Sequence, residues 1–161
     1  MQLAYKFGNG SLTLCQAIVE QASEAIIFAD RAGAIRLWNG SAETVFGHTA
    51  TEVLGHSLDV IIPERLQRAH WEGFHRAIDT GHVNYVNRVL TTRSMHKNGT
   101  RLYLELSFAL MRDEAGVVVG ALAVGRDGTA RHLSESVLRA RAAELEEEVK
   151  DGFKKIQGPA T

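Results

Sequence analysis

A single cysteine, Cys15, is all that 161 residues contain. An intrachain disulfide is therefore impossible and cysteine-rich zinc ligation is excluded, which fits a reducing compartment. No apolar run approaches the roughly 18 residues of a membrane span, and Met1 to Gly10 lacks a basic segment followed by an apolar stretch. The expected location is cytoplasmic, with no membrane partner. Long basic runs are missing too. Eighteen Lys and Arg stand against nineteen Asp and Glu, a net charge of -1, so nucleic acid is not an expected partner. Also absent are a Gly-rich phosphate loop, a nucleophile elbow and the Gly and Asp motifs of kinases. Glu43, Glu52 and Asp59 have no spaced partner for acid and base roles, so no enzyme activity is expected.

What is present is globular. With 45% hydrophobic residues and only two prolines, the chain has enough apolar material for one core and does not read as disordered. Ser11 is placed to cap a helix bearing Leu12, Leu14, Cys15, Ile18, Val19 and Ala22 at three- and four-residue spacings, a short amphipathic leader. Glu24 to Ala29 and Ala34 to Trp38 read as strands joined by Asp30-Arg31-Ala32-Gly33. Short helices follow over Ser41 to Phe46, Thr51 to Leu54 and Leu58 to Ile62, and a long one over Glu64 to Thr80, entered at Pro63 and ended by Gly81.

Three strand-like runs, Tyr85 to Met95, Arg101 to Met111 and Val117 to Arg126, turn at Lys97-Asn98-Gly99 and Asp113-Glu114-Ala115-Gly116. Strands flanking a helical block predict an α+β fold with helices on one face of an antiparallel sheet. From Leu133 the composition shifts to Ala, Arg, Glu and Leu. Leu138, Ala142, Leu145, Val149, Phe153 and Ile156 form one apolar seam, as in a coiled-coil-like signalling helix pairing in a parallel homodimer; the same seam would serve a helix folded back on its own domain. The expected organisation is a leader and cap helix over 1–22, a sheet-and-helix domain over 23–129, a dimerisation helix over 130–157 and a tail over 158–161.

Ile35-Arg36-Leu37-Trp38-Asn39, Ala42-Glu43, Phe46-Gly47, Glu52-Val53-Leu54-Gly55 and Ile62-Pro63 resemble the first half of PAS domains. His96 to Thr100, Glu105-Leu106-Ser107 and Val124 to Thr129 resemble the second half. Asp127 and Thr129 stand at the family's Asp-x-Thr exit, with Gly128 where a bulkier residue is more usual. The resemblance implies a five-stranded antiparallel sheet and a pocket between sheet and helices that holds a cofactor, a metabolite or only side chains. It also implies output through association, with a second copy or with a separate downstream signalling protein.

Leu66, His70, Phe74 and Ile78 lie four apart, which puts an imidazole on the inward face of the long helix. An imidazole on an apolar pocket wall suits a haem iron, leaving the far side open to gas. The segment Ile62 to His70 resembles the corresponding helix of oxygen-sensing haem PAS domains, of the FixL and direct-oxygen-sensor kinds. That resemblance makes His70 the proximal ligand of haem b, the only metal ligand expected, and places Arg76 at a haem propionate.

Those sensors carry a distal arginine on the next strand. Ungapped counting puts Leu90 there and a two-residue shift puts Arg88 there. Leu90 would favour carbon monoxide or nitric oxide, and Arg88 would favour oxygen. Trp38, Phe46, Phe74, Leu106 and Phe108 are expected to line the pocket.

Met95 lies close to a turn and is expected to pack there. His70 and His75 point about 140° apart around a helix, so with His82 and His96 they make no zinc site. With no cysteine in the helical block, a flavin thiol adduct cannot form. Non-covalent FAD, a small apolar metabolite and an empty pocket are the alternatives to haem.

Overall fold

A computed structural model describes residues 14–83 and 88–157, with side chains placed as far as 150 and at Phe153. Five antiparallel strands form one sheet in the order β2-β1-β5-β4-β3: β1 Ala25–Asp30, β2 Ile35–Trp38, β3 Leu90–Met95, β4 Arg101–Arg112 and β5 Val118–Asp127. Burial alternates along β1, with Ala25, Ile27 and Ala29 inward, as a two-residue period requires of a sheet covered on one face. Leu102, Leu104 and Leu106 of β4 are buried in the same core.

Between β2 and β3 the chain forms α2 Gly40–Phe46, α3 Ala50–Val53, a 3₁₀ turn at Leu58–Val60 and α4 Glu64–Thr80. Phe46, Val53, Leu58 and Ile61 from this block meet Ile35, Trp38 and the β4 leucines in the core. The α+β architecture, with helices on one face of the sheet, is thus the expected one.

The turns follow from their side chains. Asp30 Oδ1 accepts from the Ala32 and Ala34 amides between β1 and β2, and Asp113 Oδ1 accepts from the Ala115 and Val117 amides between β4 and β5. Gly33 at φ +80° lies under the Trp71 ring, where a Cβ would sit 2.2 Å from a ring carbon, so only glycine fits. Helix α4 begins at Glu64 with Pro63 as its cap residue and ends at Gly81, φ +67°.

Asn39 joins the leader to the sheet. Its fully buried amide caps α2 by accepting from the Ala42 amide, accepts also from Ile26 N at 2.9 Å, and donates to the carbonyls of Val19 and Glu24. The leader is α1 Leu14–Gln21, with Ala17 buried; the expected Ser11 cap lies outside the described residues. The strand expected from Tyr85 begins only at Leu90. Arg88 and Val89 are exposed and unpaired in the sheet, because pairing with β4 starts at Leu90 opposite Leu106, and 84–87 lie outside the described residues.

The chain divides into two compact units at Asp127/Gly128, two residues before the expected boundary. The second unit contains α5 Thr129–Gln157, a helix of 29 residues. Leu133, Val137, Leu138, Leu145, Val149 and Phe153 are exposed along it. Among the described residues no helix is long and apolar enough to cross a membrane.

Candidate functional site

Helix α4 is one wall of a cavity of about 650 Å³, within the ordinary range for small-molecule pockets. Its inward stripe supplies His70 and Phe74. Beside that stripe Ala69, Gly73 and Ala77, also four apart, line the same space. These small side chains make the room: a Cβ on Gly73 would meet nothing within 4 Å. Leu58 from the 3₁₀ turn, Leu90 from β3 and Phe108 from β4 form the opposite apolar walls, and Arg76, Thr80, His82 and Val83 complete the lining.

His70 is half-buried, and its Nδ1 is fully buried with no hydrogen-bond partner. A buried polar atom left unpaired costs about 1–3 kcal/mol. Burial pushes the imidazole below its usual value, as does the charge of His75, while the Asp59 carboxylate pulls it up. The net effect is a neutral ring, which keeps a lone pair for a metal.

Aromatic contacts hold the ring. Trp71 meets it edge-on at 5.1 Å and Phe74 lies nearly parallel at 6.0 Å. Trp71 is itself fixed by donating Nε1–H to Asp59 Oδ1 at 2.8 Å. No carbonyl or carboxylate orients the imidazole through Nδ1.

Of the residues expected at the site, His70, Phe74, Arg76, Leu90 and Phe108 line the cavity. Arg76 is exposed, with no ion pair among the described residues. Three expectations are corrected. Leu106 faces inward opposite Leu90 but is buried in the core one pleat short of Phe108. Trp38 and Phe46 pack on each other at 5.0 Å in that core. Arg88 precedes β3, is exposed and does not reach the lining, so Leu90 is the β3 residue that faces the cavity.

His82 was expected to be solvated; it is exposed yet lines the cavity, with Nδ1 donating to the Thr80 carbonyl at 2.7 Å. A carbonyl only accepts, so that contact needs the proton on Nδ1. Among the described residues no three acidic, histidine or cysteine side chains gather as a metal cage. A haem supplies four nitrogens of its own and needs one protein ligand, so a lone buried imidazole on an apolar wall fits it where a bare ion would find too few ligands.

An antiparallel sheet covered on one face by helices, with a cavity between, defines an α+β module with a pocket of small-molecule size. A family profile for the PAS fold matches residues 13–128, and the chain belongs to the PAS family. It is 26% identical over 102 residues to the sensor protein FixL of Bradyrhizobium diazoefficiens, covering 62% of this chain and 20% of that protein. It is 33% identical over 93 residues to an uncharacterized protein of Azorhizobium caulinodans, covering 57% of this chain and 13% of the relative. The chain thus spans a fifth or less of these relatives. The crystal structure of a PAS domain from Colwellia psychrerythraea superposes with a TM-score of 0.60 at 22% identity, covering 71% of this chain and 93% of that one.

Proposed function

We propose that this chain is a cytoplasmic haem-PAS sensor of a diatomic gas or redox state, not an enzyme, with His70 as the axial ligand. The observation that carries this is a single imidazole, His70, kept neutral by burial on the wall of a mostly apolar cavity. Bound haem would supply reversible gas binding at its iron. The chain's own part is to give that iron a basic nitrogen, to exclude water with Phe74, Leu58, Leu90 and Phe108, and to meet a propionate with Arg76 at the rim. Because Leu90 offers no donor, the pocket favours carbon monoxide or nitric oxide over oxygen.

Output runs through α5, whose exposed apolar residues suit pairing with a second copy or with a downstream signalling protein. Those same residues favour one alternative, a haem-free dimerisation module with an apolar metabolite or nothing in the cavity. The deciding experiment is an absorption spectrum of protein from cells given a haem precursor, beside His70→Ala made identically. A Soret band in the parent alone supports haem ligation. No band in either, even after added hemin, removes haem and leaves the interaction module.

A further inference from the structure

The order of charges along α5 specifies how two copies meet. Leu138, Ala142, Leu145 and Val149 alternate by four and three residues, which makes Ala142 and Val149 a positions and Leu138 and Leu145 d positions of a heptad. Around them Arg139 and Glu146 occupy e, and Arg141 and Glu148 occupy g. The cations come first and the anions second.

In a parallel, in-register pair, g faces e of the next heptad. Arg141 then meets the second copy's Glu146, but Arg139 faces Ser134, Glu148 faces Phe153, and the small Ala142 faces another Ala142. In an antiparallel pair centred between Ala143 and Glu144, a layers with d, g faces g and e faces e. Each Arg141 then meets the second copy's Glu148 and each Arg139 meets its Glu146, giving four attractive contacts in place of two. The layers become Leu138 on Val149 and Ala142 on Leu145, large against small as close packing requires.

Glu146 and Glu148 have no cationic partner among the described residues. Arg139 and Arg141 bond only Glu135 and Glu144 of their own helix, in exposed pairs worth little and readily exchanged. Leu138 is 69% exposed and Val149 57%. We infer that α5 pairs antiparallel with α5 of a second copy, joined by Arg139–Glu146 and Arg141–Glu148 contacts, which rests on the dimer reading above and assigns its orientation.

The test is made on the full chain with exposed Cys15 replaced by serine and a spin label at Ala130→Cys. An antiparallel pair separates the labels by about 40 Å along the axis, at 1.5 Å per residue. A parallel pair holds them within about 20 Å, set by interhelix spacing and label length. Arg139→Glu is expected to weaken dimerisation about tenfold in sedimentation, since it sets like charges opposite Glu146 twice, whereas a parallel pair places nothing charged there. Adding Glu146→Arg restores it. Circular dichroism establishes that the helix itself persists in each variant. A dimer with short label distances and an indifferent Arg139→Glu overturns the orientation and leaves the dimer standing. A monomer at every concentration overturns both.

Discussion

Trp71 donates its indole N–H to Asp59 Oδ1 at 2.8 Å, tying the cavity helix to the 3₁₀ turn that supplies the facing wall. Replacing Asp59 by Asn should cost about 1 kcal/mol of stability in urea unfolding, the usual worth of such a bond, more if the amide cannot re-form it. It should also lower the His70 titration further, because the carboxylate is the group that raises it. An NMR titration in which His70 moves upward in Asp59→Asn would contradict this placement of charge.

His70 also makes stability depend on pH. An unfolded imidazole takes up its proton near 6.5, while folded His70 resists until its lowered value is reached. Between those two points the unfolded chain binds more protons, so stability falls as pH drops through that window and is fully present above it. His70→Leu should be as stable as the parent at pH 7.5 or more so, since the orphaned nitrogen goes with the ring, and its acid slope should be shallower. The slope will not vanish, because burial lowers His48 in the same direction. Urea midpoints of both proteins from pH 5 to 7.5 decide it.

How much of this could be read beforehand depended on which period carried it. The two-residue alternation of β1 and β4 and the four-residue spacing of Leu66, His70, Phe74 and Ile78 assign faces, and those faces are as expected. Period says nothing about depth. Leu106 and Phe108 share one face of β4, yet only Phe108 reaches the cavity. Arg88 rested on a two-residue shift of the strand against the family's distal arginine, but among the described residues pairing with β4 starts only at Leu90. The small ridge of Ala69, Gly73 and Ala77 was legible at the same spacing and marks where the volume lies. His82 was not legible, because its tie to the Thr80 carbonyl depends on how the chain leaves α4.

The β3 placement separates two variants. In haem-loaded protein, Leu90→Gln puts a donor on the wall facing bound gas and should raise oxygen affinity about fivefold relative to carbon monoxide, the yield of one modest hydrogen bond. Arg88→Ala should leave both affinities unchanged, since Arg88 is exposed away from the lining. Gas titrations of both report directly; a loss of oxygen affinity in Arg88→Ala alone would place the arginine at the iron after all.

Asn39 is where the leader helix and the sheet depend on one side chain. Its amide uses both donor hydrogens and accepts twice: Val19 and Glu24 carbonyls on one end, Ile26 and Ala42 amides on the other. Aspartate keeps the two acceptors but turns the donor end into an anion facing two carbonyls, while alanine abandons all four. Both should destabilise by about 3 kcal/mol or more, with backbone groups left unpaired at a buried site. Two bonds reach the leader and its exit, so limited proteolysis should cut near Val19 to Glu24 before the sheet opens. If Asn39→Ala unfolds at the parent's urea midpoint with that segment still protected, α1 is held by Ala17 packing and not by the amide.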